Sequence, residues 1–257
     1  AFNVGTAIIL WSMSDINAIS GSWQTSLILF SLASLILAFL WLFVKFEAPV
    51  TEQGSDLAVE ENYSYIDGLK DKFNWLYAFT YSGLLAFYIC LFTFYPKAGI
   101  SQSKWVIGFG IIGTLAGILY SKKISQRIPV IRWSGFVMII TIYGLSFSQS
   151  ATLQTLSAVV LGFFIFFPIT ALVSIPHELP KMTGQRITII FSLFYSISYL
   201  CSTVILWLFG KMVDMNEGNY TYSLILITLL SSTFFIGSFF LIETGKQKVK
   251  EPLLCEV

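Results

Sequence analysis

The chain has 257 residues, of which 56% are hydrophobic, 17% aromatic and only 11% charged, and its formal net charge is +1. Soluble domains usually carry about 25% charged residues, so this composition excludes an ordinary water-soluble globular protein. The near-neutral charge gives no electrostatic basis for a nucleic-acid partner. We therefore predict an all-α, polytopic membrane protein whose first partner is the lipid bilayer.

Continuous apolar segments recur along the chain. A bilayer core admits helices or closed barrels, and barrel strands alternate in hydropathy over about 10 residues, so uninterrupted runs favour membrane helices. Each run except the first approaches the ~20 residues that a helical crossing needs. We predict eight spans, the first one truncated, at residues 1–14, 23–44, 73–95, 104–121, 132–149, 152–175, 187–212 and 220–242.

The first run, from Ala1 to Ser14, follows neither a methionine nor a basic segment, so it is unlike a signal peptide. We interpret it as the remainder of a longer helix in a fragment. An acidic, polar stretch follows the second run and is predicted to be a linker. The predicted organisation is the end of an N-terminal helical half at 1–44, a cytoplasmic linker at 45–72, a C-terminal six-helix bundle at 73–245 and a cytoplasmic tail at 246–257.

Tyrosines recur on one side of the span at 73–95. At about 100° per residue, Tyr81 and Tyr88 fall in the same narrow arc. Lipid offers no hydrogen-bond partner to a phenolic hydroxyl, so we expect these side chains to face protein or water. Tyr77 and Tyr95, nearer the ends of the span, are equally explained as residues of the membrane interface.

Small residues occupy every fourth position in the span at 104–121, through Gly113, Gly117 and Ser121. That spacing lets two helix backbones approach closely. We expect ordinary helix packing here, with this helix sliding or sealing against another helical half. A basic turn that contains Lys122 and Arg127 follows the span.

Two later spans add hydroxyl groups. Thr170 and Ser174 share a face near Pro168, and a mid-span proline frees a carbonyl, as in broken helices at cavities or hinges. A simple packing kink explains this proline equally well. Tyr195 and Tyr199 share a face of the span at 187–212, where interhelical hydrogen bonding is the alternative to a cavity.

Basic residues are sorted between the two sides of the predicted bundle. All but three of the 15 Lys and Arg residues fall in one set of loops, and the exceptions are Lys97, Lys104 and Lys211. Cytoplasmic loops carry an excess of Lys and Arg. We therefore predict a multi-pass protein of the plasma membrane, with its linker and its C-terminus in the cytoplasm.

Reactive side chains are few. Cys90, Cys201 and Cys255 lack disulfide or metal-ligand spacing, and a single histidine, His177, cannot build a metal site or a catalytic triad. We expect no cofactor, no metal and no enzymatic activity. The alternative, a membrane-embedded enzyme such as a lipid-modifying transferase, would need clustered His, Asp or Glu near one interface, where Glu178 beside His177 is the candidate.

One local sequence carries a family resemblance. Residues 117–127 read GILYSKKISQR, which is similar to the helix-turn-helix signature of the major facilitator superfamily (MFS). That signature has a glycine, three apolar residues, an acidic position and then basic residues that close a cytoplasmic turn. Gly117, Lys122 and Arg127 fit, whereas Ser121 and Ile124 replace the acidic residue and the second glycine.

With six spans after a cytoplasmic linker, the chain resembles the C-terminal two-thirds of an MFS transporter, starting in the fifth helix. A weaker similarity to the cyanate and nitrate permease branch lies in residues around two spans, namely Glu178-Leu179-Pro180 and Met182-Thr183 before one span and Gly210, Asp214, Gly218 and Tyr220 after it.

The resemblance implies an MFS-type helical bundle and a secondary transporter that moves a small-molecule or ion substrate by alternating access, with the N-terminal half of the same protein as its partner. A non-transporting membrane receptor of the same fold is a further alternative. No carboxylate lies in a complete span, so a proton-coupling acid is expected from the other half, or the carrier is a uniporter or an anion exchanger.

The candidate residues form two groups. The expected substrate-cavity residues are Tyr81, Tyr88, Thr170, Ser174, Tyr195 and Tyr199. The expected residues of the conformational cytoplasmic turn are Gly113, Gly117, Lys122 and Arg127.

Overall fold

The structure is a computed structural model that describes residues 12–13, 15–43, 63–180 and 182–245. Every regular element in these ranges is a helix, which confirms the all-α prediction. The chain divides into two compact units, Ala1–Asn62 and Tyr63–Val257. Most of the predicted first span, the predicted linker before Tyr63 and the predicted tail lie outside the described residues.

The first unit contains one long helix, α1, at Trp23–Trp41. The helix begins after Ser22, whose side-chain oxygen accepts a hydrogen bond from the backbone N–H of Thr25 at 3.2 Å. Its apolar side chains point in all directions and are exposed within this unit. A helix that is hydrophobic on every side is suited to a membrane span.

The second unit contains nine α-helices and a short 3₁₀ turn in the described residues. In chain order these are α2 Tyr65–Lys70, α3 Lys72–Thr93, the 3₁₀ turn Ser101–Ser103, α4 Lys104–Lys123, α5 Ile128–Phe147, α6 Ala151–Phe166, α7 Ile169–Glu178, α8 Gly184–Met215, α9 Thr221–Ser231 and α10 Thr233–Gly237.

Six candidate membrane spans are found among the described residues, by length and composition. They are Trp23–Trp41, Lys72–Thr93, Ser101–Lys123, Ile128–Phe147, Ala151–Glu178 and Gly184–Met215. These helices support a multi-pass membrane protein, whereas the prediction of eight spans is not confirmed. The last predicted span is instead the shorter apolar stretch Thr221–Gly237.

A run of hydroxyl side chains explains why this last stretch is interrupted. The hydroxyls of Ser231, Ser232 and Thr233 donate to backbone carbonyls three residues earlier, at 2.7, 2.6 and 2.9 Å. Such local bonds compete with the backbone hydrogen bonds of a helix and bend it. α9 therefore ends at Ser231, and α10 begins at Thr233.

Pro168 divides the span that contains α6 and α7. α6 ends at Phe166 and α7 begins at Ile169, directly after the proline. Pro168 has no backbone N–H, and its ring clashes with the preceding turn, which disrupts the regular helix at this point. The structure thus has an interruption at Pro168, and whether it marks a cavity or hinge or is a packing kink stays a prediction.

The final part of the predicted linker is helical. In α2, the side chain of Ser64 accepts a hydrogen bond from the N–H of Asp67, while the Asp67 carboxylate accepts from both the N–H and the hydroxyl of Ser64. This reciprocal pair is a capping box, and its hydrogen bonds lower the pKa of Asp67 below the ordinary aspartate value. α3 then begins at Lys72, capped by the Asp71 carboxylate.

Two helix pairs form the centre of the second unit. α3 and α8 are joined by hydroxyls of Ser198 and Ser202, which donate to the carbonyls of Ala78 and Ser82 at 3.1 and 3.0 Å. α4 and α6 pack backbone to backbone. This is possible because Gly113 has no side chain, since a Cβ there would overlap the carbonyl of Phe163. The structure thus places α6, a helix of the same unit, against the glycine face of α4.

The helix termini are sorted between two ends of the second unit. At one end the starts of α3 and α8 meet, where Arg186 lies 3.9 Å from Asp71. At the other end, the hydroxyl of Tyr95 lies 2.7 Å from that of Ser146, in the last turn of α5. We call the first of these the basic end, because the described part of the chain places there Lys70, Lys72, Lys122, Lys123, Arg127, Arg132 and Arg186.

Candidate functional site

Arg127 lies in the turn between α4 and α5, at the basic end, and its side chain is only 10% exposed. Its guanidinium binds Glu178, the last residue of α7, through Nη2 and Nε at 2.7 and 3.1 Å from Oε1. Its Nη1 donates to the hydroxyl of Ser121 at 2.6 Å and to the carbonyl of Ile124 at 3.2 Å. This ion pair joins the α4–α5 turn to the end of α7.

Two residues after α10 complete this network. The second carboxylate oxygen of Glu178 accepts a hydrogen bond from the hydroxyl of Thr244 at 2.8 Å. The carboxylate of Glu243 accepts from the backbone N–H groups of Arg127 and Ile128 at 2.8 and 2.9 Å. Because the first N–H groups of a helix lack intrahelical partners, Glu243 caps the start of α5. The polar network therefore fixes four chain segments together.

The network borders a cavity of about 790 Å³ at the basic end. Its walls come from the end of α4 and the turn after it, from the last turns of α7, and from the segment after α10. The lining side chains that can carry charge are Lys122, Lys123, Arg127, His177 and Glu178.

A second group of residues surrounds the ring of Phe194 on α8. The ring of Tyr81 stacks on it with centroids 5.2 Å apart, and that of Tyr195 meets it edge-on at 5.1 Å. Tyr88 lies about two turns beyond Tyr81 on α3, and Tyr199 lies about one turn beyond Tyr195 on α8. We call Tyr81, Tyr88, Tyr195 and Tyr199 with Phe194 the tyrosine cluster.

The tyrosine cluster is open on one side within the second unit. Tyr195 and Tyr199 are 47% and 51% exposed, while Tyr81 and Tyr88 are partly buried. Tyr88 contacts the edge of Phe166 at 5.5 Å, which brings the end of α6 to the cluster. On its open side the cluster thus offers the side chains of Tyr195 and Tyr199 on α8, whereas the hydroxyl of Tyr88 on α3 is buried.

The structure divides the predicted cavity residues. It brings Tyr81 and Tyr195 together on the ring of Phe194, and Tyr88 and Tyr199 lie farther along the same two helices. Ser174 instead lines the cavity at the basic end, and its hydroxyl donates to the carbonyl of Thr170 at 2.8 Å. Thr170 is partly buried on α7. The assignment of all six residues to a substrate cavity stays a prediction.

The predicted residues of the conformational turn fall into two kinds. Gly113 and Gly117 allow the backbone of α4 to lie against the carbonyls of Phe163 and Phe167. Lys122 is exposed at the rim of the cavity, whereas Arg127 is buried in the ion pair. Their role in a conformational change stays a prediction.

Several contacts were missed from the sequence. Glu178 was considered as an enzyme candidate beside His177, yet its carboxylate is the partner of Arg127, 51 residues earlier. The capping role of Glu243 comes from the structure, and its signal in the sequence is an acidic residue at the end of the last apolar stretch. The interhelical hydrogen bonds of α8 come from Ser198 and Ser202. Their i, i+4 spacing in the sequence is the signal that could have identified them.

A metal site has no support in the described ranges, where no group of three or more His, Cys, Asp or Glu side chains lies close enough to hold an ion. Comparisons of this chain with protein families, with curated proteins and with solved structures found no match.

Proposed function

We propose that this chain is part of a secondary transporter of the major facilitator type, which moves a small solute across the membrane by alternating access. The observation that carries the proposal is the tyrosine cluster, which lies on two membrane-length helices and exposes the side chains of Tyr195 and Tyr199 on its open side. A phenolic hydroxyl facing lipid would lack a partner. The hydroxyls of the exposed Tyr195 and Tyr199 are suited to a solute or to water.

The chemistry of the cluster restricts the solute. In α3 and α8, the segments that carry the cluster contain no charged residue between Lys72 and Thr93 or between Arg186 and Lys211. The tyrosine cluster would therefore hold the solute by stacking and by neutral hydrogen bonds, with no counter-ion of its own. Coupling to protons would depend on acids from elsewhere in the protein.

The basic end supports the mechanical part of the proposal. Rocking one helical half against the other needs a half that moves as one body. The Arg127–Glu178 ion pair and the Glu243 cap fasten α4, α5, α7 and the segment after α10 at one end. We further propose that this end faces the cytoplasm at the plasma membrane, because Lys and Arg accumulate in cytoplasmic loops.

Replacement of Tyr81 and of Tyr88 by phenylalanine tests the function. Each change removes one hydroxyl and keeps the ring, so we expect KM to rise about 2- to 10-fold, the value of one neutral hydrogen bond. Uptake would be measured in proteoliposomes of the full-length protein, after a screen of radiolabelled amino acids, sugars, nucleosides and organic ions has identified a transported solute.

Tyr143→Phe is the matched control. Tyr143 lies on α5, is 64% exposed and packs on Phe147 with ring centroids 5.2 Å apart, so its hydroxyl is remote from the cluster in the proposal. Uptake kinetics that are the same in all three variants and the wild type, at equal membrane expression, would remove the tyrosine cluster from the transport path.

A further inference from the structure

The cavity at the basic end has the volume of a small-molecule site and a polar lining. Its volume of about 790 Å³ lies within the range of about 300–1,000 Å³ that is usual for small-molecule pockets. Side chains from three separate segments converge on it. Those with polar groups that are not part of the Arg127–Glu178 ion pair are Ser121, Lys122, Lys123, Ser125, Ser174, His177 and Thr244.

The charges of the cavity do not cancel. The guanidinium of Arg127 is compensated by Glu178, which it contacts at 2.7 Å. Lys122 and Lys123 are exposed, and neither forms an ion pair within the part of the chain that the structure describes. Among the described residues that line the cavity, Lys122 and Lys123 therefore present ammonium groups without a carboxylate partner, beside the Arg127–Glu178 ion pair.

Side chains, rather than a helix terminus, would make this site. The N–H groups at the start of α5 already donate to Glu243, and the carbonyls at the end of α4 accept from Arg127. The groups that remain to meet a ligand are the ammonium groups of Lys122 and Lys123, the exposed imidazole of His177 and the hydroxyl of Ser125. All of them can donate hydrogen bonds.

We infer that this cavity binds a phosphomonoester, the headgroup of an anionic membrane lipid. A phosphomonoester carries about −1.5 to −2 charges and three acceptor oxygens, which matches two lysines with hydroxyl donors beside them. The cavity lies at the ends of the spans Ser101–Lys123 and Ala151–Glu178. Lipid headgroups occupy that level of a bilayer, and basic pockets between membrane helices bind such headgroups.

Binding of short-chain phosphatidic acid to the purified full-length protein in detergent tests this inference. We expect the double variant Lys122→Gln/Lys123→Gln to bind it about 30-fold more weakly, because each lysine near an anionic headgroup contributes about a factor of five. The control variant Lys97→Gln/Lys104→Gln removes the same charge at the opposite end and should bind as the wild type does. Short-chain phosphatidylcholine, whose phosphate is a diester, should bind weakly to all three.

Glycerol phosphate, which has the same phosphate group without acyl chains, separates the two sources of the ligand. Lysine-dependent binding of both compounds shows that the cavity accepts the phosphate from lipid or solution, and binding of phosphatidic acid alone shows that it accepts the lipid. Three results would overturn the inference. They are no binding of either compound, wild-type affinity in the Lys122/Lys123 variant, and an equal loss in the Lys97/Lys104 control. None of these measurements depends on transport.

Discussion

The ion pair of Arg127 and Glu178 shows what one buried charge requires in this protein. Their side chains are 10% and 18% exposed, so both charges are largely removed from water. A charge in that position needs a partner, because without one the cost of removing the charge from water has no attraction to offset it. Every nitrogen of the Arg127 guanidinium donates a hydrogen bond to Glu178 or to the α4–α5 turn.

We expect Glu178→Gln to lower the free energy of unfolding by about 1–3 kcal/mol, less than for a fully buried pair since some exposure remains. The double variant Arg127→Gln/Glu178→Gln should lose less than the sum of the single variants, because neither residual partner is then left charged. Thermal unfolding in detergent measures both effects.

Arg186→Gln is the comparison for that experiment. Arg186 lies 3.9 Å from Asp71, and its side chain is 26% exposed, so its removal should cost less than about 1 kcal/mol. Two results would show that the Arg127–Glu178 pair contributes no more than a surface contact. They are stability losses of Arg127→Gln and Glu178→Gln that add up in the double variant, and a loss in Arg186→Gln as large as that in Glu178→Gln.

At this scale the sequence indicated the position of Arg127 but not its surroundings. A glycine followed by a basic turn identifies where α4 ends. The partners Glu178 and Glu243 are 51 and 116 residues away, and no local spacing connects them to the turn. Only the packing of α5, α7 and α10 brings those carboxylates together.

At the scale of helices, the contact between α4 and α6 depends on the absence of side chains. A Cβ on Gly113 or Gly117 would overlap the backbone carbonyl of Phe163 or Phe167, and a Cβ on Gly162 would overlap that of Val106. Backbone atoms cannot rotate away as the end of a flexible side chain does, so the two helices would have to separate.

We therefore expect Gly113→Ala and Gly117→Ala each to destabilise the protein by about 1–3 kcal/mol, as overpacking does. Gly210→Ala in α8 is the matched control, because a Cβ there meets nothing within 4 Å and alanine is the better helix former. Its melting temperature should equal or exceed that of the wild type. Equal melting temperatures for all three variants would contradict the close α4–α6 contact.

Helices were predicted best where hydropathy alone decides them. α3, α5 and α8 follow the predicted spans to within a few residues, because long apolar runs have no other way to satisfy their backbone groups in a bilayer. The division at Pro168 was also visible, since proline acts locally. The break after Ser231 was not, because it depends on which carbonyl each hydroxyl selects.

At the scale of the whole molecule, the sorting of helix ends makes a prediction about the membrane. Lys123 lies at the basic end and Asn219 in the turn between α8 and α9, and both are exposed. If these helices cross the bilayer, the two positions lie on opposite sides of it.

Single cysteines at Lys123 and Asn219, in a background without Cys90, Cys201 and Cys255, measure this. A membrane-impermeant maleimide added to intact cells should label the cysteine at 219, and label that at 123 only after permeabilisation. Labelling of both positions in intact cells, or of neither, would contradict the arrangement. Labelling of position 123 alone would keep the spans and reverse their proposed orientation.

The architecture could be predicted at this scale only in part. Composition and hydropathy indicate a helical membrane protein, and the described spans agree with that. Neither the turn motif at 117–127 nor hydropathy indicates which helices become neighbours. Helix neighbours are decided by small contacts such as those of Gly113 and Ser198.

The segment after α10 holds two other helices and the α4–α5 turn together, as a clasp. Glu243 covers the first amides of α5, Thr244 holds the far oxygen of Glu178, and Gly245 lies against the backbone of Ser125 so closely that a Cβ would not fit. A chain cut before Glu243 would release all three attachments at once, whereas a cut after Gly245 would leave them in place. Tags and reporters therefore belong after Gly245, where they leave these three contacts intact.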